Sequence, residues 1–256
     1  MASYNPETYW DRVAETIDER NHVKIIAGDE EPYYRYKRKL FLKLLGSFDF
    51  ENKSVLEVGS GPGGNLEFIY SKGCKKITGA DISAQMIELA RNNLVGKEIS
   101  LVKTDGTHLP FADQSFDLVF TSTVLQHTTN VEILNRLIAE ICRVGIREIM
   151  LFERIEKTIK GHESNLGRPV EYYQDLVEAH GFTIAGMKSL PLQASYYTCG
   201  AIRKLFNKAS RKEGEPLTKF SLALQRLVLP LTSVLDRIIL SRRDVMMLRF
   251  VRKAGE

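Results

Sequence analysis

From Ser54 onward the chain alternates short, continuous apolar runs with longer stretches of helical periodicity. The runs are SVLEV (54–58), KITGA (76–80), ISLVKT (99–104), DLVFTS (117–122) and REIMLFE (147–153), and each reads as a strand buried on both faces. Between them NLEFIYSK, SAQMIELARNNL and NVEILNRLIAEICRV place apolar residues at helical spacing. In the last, Val131, Leu134, Leu137, Ile138 and Ile141 make one stripe expected to be buried. PVEYYQDLVEAHGF (169–182) is a further helix that Gly181 stops. FTIAGMKSL and DVMMLRFVRK supply a sixth and a seventh strand. Such alternation calls for crossover connections, so the fold class is α/β: a doubly wound, mostly parallel seven-stranded sheet with helices on both faces.

Both ends depart from that pattern. ETYWDRVAETI is amphipathic, and PYYRYKRKLFLKLL sets Tyr33, Tyr36, Leu40 and Leu44 on one side of a helix. About fifty residues separate the last two strands, too many for a hairpin connection, which marks an insertion. In it, Phe220, Leu224, Leu227, Leu231, Val234, Leu235, Ile238 and Ile239 form an apolar stripe that continues across Pro230. Packing on its own domain or covering an acceptor site is the favoured reading of that stripe; a homodimer or a peripheral membrane contact through 216–241 is the alternative. Arg226, Asp236 and Arg237 exclude a spanning helix. The expected organisation is a helical cap over 1–50, a core over 51–195, the insertion over 196–243 and the last strand over 244–256.

Length and charge sharpen this division. At 256 residues, 43% hydrophobic and 27% charged, the chain suits one folded domain with no need of disulfide or metal staples. Cys74, Cys142 and Cys199 are scattered and odd in number, which implies a reducing compartment and no zinc ribbon. The start, MASYNPETYWDRVAET, lacks a basic patch followed by an apolar run, so no secretory leader is expected and the location is cytoplasmic, with the inner membrane surface as the peripheral variant. The net charge of +4 conceals an asymmetry: residues 196–256 hold thirteen Lys or Arg against five Asp or Glu, while the rest is mildly acidic.

The strongest chemical signal is VLEVGSGPGG, where a strand ends at Glu57 and Val58 and a glycine turn through Gly59, Ser60, Gly61, Gly63 and Gly64 leads into a helix. Glycine lets the backbone turn tightly and approach a ligand, and the helix N-terminus offers free N–H groups. The same spacing fits the dinucleotide fingerprint of nicotinamide dehydrogenases. Glu57 argues against that reading, because it would repel a pyrophosphate. With Asp81 in GADIS and Asp105 in KTDG it puts an acid at the end of each of three consecutive strands, which suits a cationic, amino-bearing ligand with a ribose and an adenine. The alternative for Asp81 and Asp105 is that they are turn residues capping the next helix.

These residues, with Met86 five positions after Asp81 and with DGTHLPFADQSFDLVFTSTVLQH, resemble the class I methyltransferases that use S-adenosylmethionine, more narrowly the small-molecule group that includes quinone and sterol methyltransferases. The resemblance covers roughly 50–190 and implies a Rossmann-like fold. It implies that Gly59, Gly61 and Gly63 line the methionine moiety and that Glu57 orients it. It further implies that Asp81 accepts the ribose hydroxyls with Ile82 against the adenine, that Asp105 takes the adenine amino group beside Gly106, and that Thr121 faces the methionine end. In resembling enzymes N-terminal helices complete the acceptor pocket, which would bring Tyr33 and Tyr36 to ligands; a packing role is the alternative.

Methyl transfer from a sulfonium needs alignment, exclusion of water and, for a hydroxyl acceptor, somewhere for a proton. His127 in TVLQH has the chemistry of a general base, or simply bonds a loop carbonyl. Glu153 in LFERI is a candidate acceptor contact. His108 belongs in a loop near the adenine, and His22, His162 and His180 fall in no pattern. TSTVLQ carries neither a Pro-Cys pair nor an N-P-P-Y type motif, which disfavours DNA-base acceptors, and no metal is expected. The expectation is a methyltransferase acting on a small-molecule, glycan or lipid-linked acceptor, most readily at oxygen. An RNA methyltransferase, supported by no RNA-binding motif, and a non-catalytic cofactor-binding partner subunit are the alternatives.

Overall fold

The computed structural model describes residues 4–19, 25, 31–211, 215–239 and 244–254. His22, and residues 212–214 and 240–243 of the expected insertion, lie outside them. Strands β1 (Ser54–Val58), β2 (Lys76–Asp81), β3 (Ile99–Lys103), β4 (Phe116–Ser122) and β5 (Gly145–Ile155) pair in parallel. The last strand, β9 (Asp244–Arg252), lies antiparallel between β5 and β8 (Phe182–Ser189). The order β3-β2-β1-β4-β5-β9-β8 makes the expected seven-stranded sheet. The strand order reverses between the parallel β1 and β4, so a crevice opens at their carboxyl ends, where open α/β sheets bind ligands.

Strand parity decides which side chain faces which helix. Leu56, Val58, Val119, Ile149 and Leu151 point to one face, against Leu134, Leu137, Ile138 and Ile141 of α5 (Val131–Val144) and Tyr173 and Val177 of α6 (Val170–Glu178). Val55, Leu118, Phe120, Met150 and Phe152 point to the other, against Phe41, Leu44 and Leu45 of α2 (Pro32–Leu45) and Leu66 and Ile69 of α3 (Gly64–Tyr70). Val131 does not join its stripe: it is the first residue of α5, just after the Asn130 cap, and it stays exposed. A small third cluster packs Val13, Ala14 and Ile17 of α1 (Pro6–Asp18) on Met86 and Leu89 of α4 (Ala84–Asn93). The polar hairpin of β6 (Lys160–His162) and β7 (Asn165–Gly167) is an addition that no apolar alternation announces.

The insertion forms two helices, α7 (Gln193–Phe206) and α8 (Lys219–Ile238), and α8 runs unbroken through Pro230. Here the favoured reading of the stripe is corrected. Phe220, Leu227, Leu231, Val234, Leu235, Ile238 and Ile239 are exposed, and the fully buried positions of α8 are polar, Ser221, Gln225, Thr232 and Asp236, with Val228 and Leu229 partly buried against the core. Each buried group has a built partner. Asp236 takes the Ser195 amide and hydroxyl at 3.1 and 2.5 Å, Thr232 meets the Ser195 hydroxyl at 2.9 Å, and Gln225 donates to Glu31 at 2.7 Å. Satisfied polar groups can be buried at little cost, and this network fixes which way α8 faces.

Candidate active site

The glycine turn after β1 owes its shape to three left-handed residues, Gly59, Gly61 and Gly63, two of which are also closely packed. Gly59 has φ +75°, and a Cβ there would stand 2.2 Å from Val124 Cγ2; Gly63 has φ +90°, and its Cβ would meet Leu94 at 2.7 Å. No side chain fits either place. The turn is then pinned from β2, because Asp81 accepts the Gly61 N–H at 2.8 Å through one oxygen and the Ser83 N–H at 2.9 Å through the other. Burial raises the Asp81 carboxyl above the usual range, and these two N–H groups oppose that rise.

Glu57 points to the α2 face of the sheet. Its Oε1 accepts from Asn65 Nδ2 at 2.7 Å, and Asn65 Oδ1 accepts from Arg38 Nη1 at 3.1 Å, a relay joining α2, α3 and β1. Its Oε2 is buried with no hydrogen-bond partner, and so is the Ser60 hydroxyl. Burial lifts the Glu57 carboxyl to about 8, with Asn65 and then Arg38 pulling the other way. Both residues line a cavity of 480 Å³ together with Trp10, Tyr34, Lys37, Arg38, Gln126 and His127. That size is ample for a small organic ligand.

The loop after β4 forms the far wall. His127 Nδ1 lies 2.8 Å from the Ser164 carbonyl, so it carries the proton, and Nε2 is left as the acceptor, 3.1 Å from Gln126 Nε2. Burial pushes the imidazole down to about 4, so it is neutral at ordinary pH. Trp10 of α1 stands edge-on to its ring at 5.0 Å.

Two buried groups clamp this loop. Glu153 accepts from the Thr121 hydroxyl at 2.8 Å and from the amides of Val124 and Gln126 at 3.1 and 3.2 Å. Arg168 donates to the carbonyls of Leu125 and Thr128, both at 2.8 Å. Glu153 is wholly buried on the α5 and α6 face and does not line the cavity; Ser122 and Arg154, one residue out of phase with Thr121 and Glu153, do. The expected acceptor contact of Glu153 is thus replaced by a loop-holding position. Glu153→Ala should lower stability in urea by about 2–4 kcal/mol, because it strands two amides and a hydroxyl. Glu153→Gln should lose about half of that. An unchanged unfolding midpoint for the alanine variant would reject the clamp.

The remaining expected positions separate. Ile82 Cδ1 lies 2.8 Å from where a Gly106 Cβ would be, so these two pack together, with Gly106 at φ +80°. Asp105 is exposed, its Oδ1 taking the Thr107 amide and hydroxyl and the His108 amide; these bonds hold its carboxyl below the usual range. Met86 is buried under α1. Tyr33 is buried with its amide on Gln225, and Tyr36, raised by burial and then by Asp236, turns toward α8. Tyr34, Lys37, Arg38 and Phe41 are the α2 residues that line the cavity, the helical face next to the apolar stripe. Trp10, Arg38, Asn65, Gln126 and Asn165 join the site without a signal in the sequence, since each arrives through tertiary contact. Among the described residues no cluster of His, Cys, Asp and Glu could hold a metal.

Residues 56–148 match the methyltransferase domain family model. The demethylmenaquinone methyltransferase of Tropheryma whipplei (strain Twist) is 30% identical over 123 residues, 48% of each chain; the chain spans about half the length of the curated relatives it matches. Among solved structures, magnesium protoporphyrin IX methyltransferase from Synechocystis PCC 6803 with bound SAM superposes with TM-score 0.60 over 99% of this chain and all of that one, at 14% identity. The (4+2)-cyclase SpnF superposes with TM-score 0.65 over 96% of this chain and 95% of that one, at 15% identity. The family resemblance and the fold class read from the sequence are both borne out. At such identities the structural likeness speaks for fold alone.

Proposed function

We propose, for a chain whose residues 56–148 match the methyltransferase domain family model, that the cavity binds S-adenosylmethionine and serves methyl transfer to a small-molecule acceptor, at oxygen. The observation that carries this reading is the orphaned Glu57 Oε2, buried in the wall beside the glycine turn and the unpaired Ser60 hydroxyl. A buried acceptor without a partner is costly unless a ligand donor meets it, and an ammonium group is the donor such a carboxylate suits.

In this reading Glu57 and Ser60 hold the amino acid end of the cofactor against the turn of Gly59, Gly61 and Gly63. Asp81 takes the ribose, with Ile82, Asp105 and Gly106 toward the adenine, while Met86, buried under α1, supports this wall from behind. Thr121 acts from behind, through Glu153, rather than by contact. The bound cofactor supplies a methyl group already activated by its sulfonium charge. What is left to the protein is alignment and dryness, for which α1 and α2 frame one side of the cavity and the loop 123–128 the other. His127, neutral and held through Nδ1 by the Ser164 carbonyl, exchanges the Gln126 amide at Nε2 for the acceptor hydroxyl and takes its proton as the methyl group is transferred. Residues 1–50 and 196–243 serve as the acceptor-side frame around a core of 51–195 and 244–256, a division supported by Trp10, Lys37, Tyr196 and Arg211 in the cavity wall.

Saturating S-adenosylhomocysteine, at about a hundred times its Kd, should stabilise the folded chain by about 2.7 kcal/mol, read as a rise in Tm. Labelled methyl from S-adenosylmethionine should then appear in small molecules or lipids of an extract. A Tm rise with NAD and none with S-adenosylhomocysteine would overturn the cofactor assignment. Binding without transfer to any fraction would leave a cofactor-binding partner subunit, and label confined to RNA would overturn the acceptor class.

A further inference from the structure

The helix α8 fully buries only polar side chains, Ser221, Gln225, Thr232 and Asp236, packs Val228 and Leu229 partly on the core, and exposes most of its apolar stripe. Leu227 is 75% exposed, Leu231 69%, Ile238 73% and Phe220 60%. At the end of α7, Leu205 and Phe206 are exposed as well, and the Phe206 ring meets that of Phe220 at 4.9 Å, which makes the patch continuous across both helices. A contiguous apolar surface of this kind marks an interaction site.

Charge tells what covers it. On a helical wheel Lys219, Arg226 and Arg237 fall together on one flank of the stripe, all exposed, and Lys204 in the last turn of α7 and Lys208 just after it are exposed as well. The single acid of α8, Asp236, is buried and bonded to Ser195. No exposed carboxylate on α8 balances the cations. Among the described residues no helix is long and apolar enough to cross a membrane, so this combination fits a helix lying in the interface plane, apolar face inward and cations at the headgroups. An antiparallel two-fold copy seated on the same face would set the cationic flanks of the two helices on the same side.

We propose that the exposed face of α8, with the end of α7, seats the protein on an anionic lipid bilayer. The same two-helix insertion also reaches the cavity wall, through Tyr196 of α7 and Arg211 of the α7–α8 connection. A consequence, which rests on the methyl-transfer reading above, is that the acceptor enters from the bilayer; the docking itself needs neither cofactor nor turnover.

The test is sedimentation of the full chain with phosphatidylcholine vesicles, with and without phosphatidylglycerol, at low and high salt. Binding should need the anionic lipid, weaken with salt, and fall at least about tenfold in the double variant Leu227→Glu, Leu231→Glu. Arg226→Glu with Arg237→Glu should weaken it similarly, and Val95→Glu, in the turn after α4, should not. All these positions are exposed, and an unchanged Tm verifies each fold. Three results would overturn the proposal: no binding to anionic vesicles at low salt, equal binding by the Leu227→Glu, Leu231→Glu variant, or a dimer that this variant dissolves in a protein that binds no vesicles.

Discussion

Asp81→Asn should weaken S-adenosylhomocysteine binding at least about a hundredfold in a calorimetric titration. The carboxylate uses both oxygens on backbone N–H groups, Gly61 in the glycine turn and Ser83 at the start of α4. An amide offers one acceptor and one donor. Whichever way it turns, an NH₂ group faces a backbone N–H, the turn loses its pin to β2, and a ribose loses an acceptor. Asp105→Asn makes the informative contrast. Its carboxylate is exposed and one oxygen takes all its contacts within the loop, so the amide can keep them, and the loss should stay within about tenfold. Near-ultraviolet circular dichroism checks that each variant is folded. Equal losses at the two positions would reject the unequal roles that their burial implies.

The contrast also shows what the sequence could carry. Strand ends are read from apolar runs, so the placement of Glu57, Asp81 and Asp105 at the carboxyl edge is legible in one dimension, as is the need for glycine at 59 and 63. The face on which a side chain emerges depends on a phase of one residue. That phase separates Ser122 and Arg154, which line the cavity, from Thr121 and Glu153, which lie behind it. A similar slip around α2 separates Tyr34 from the buried Tyr33 and from Tyr36, which turns toward α8. In α8 the stripe was legible, but its direction was not: an apolar periodicity says that a helix has two faces, and only the partners of Gln225, Thr232 and Asp236 say which one the protein buries. The relay from Arg38 through Asn65 to Glu57 joins three elements and has no sequence signature.

That relay makes Glu57 the group through which pH acts. Its ordinary value of 4.5 is lifted to about 8 in the folded chain, chiefly by burial. Between those two values the unfolded chain has lost the Glu57 proton while the folded chain keeps it. The stabilisation that comes from Glu57 is therefore fully present below 4.5 and is lost as pH rises toward 8. The Tm of the free protein should fall with pH above about 6.5, below which the lowered His127 imidazole opposes the slope, and Glu57→Gln, which cannot ionise, should flatten the fall; the raised Asp81 and Glu153 carboxyls supply what slope is left. Ligand binding runs the other way. An amino acid ammonium stays charged to roughly pH 7.7, so pairing it with the Glu57 carboxylate expels one proton. Affinity for S-adenosylhomocysteine should rise by up to about tenfold per pH unit between about pH 6 and about pH 7.5, with proton release seen as a dependence of the binding enthalpy on buffer. Glu57→Gln should bind weakly at every pH and release no proton. A native affinity independent of pH would mean that Glu57 Oε2 meets no ammonium group, and the buried orphan oxygen would then need another donor.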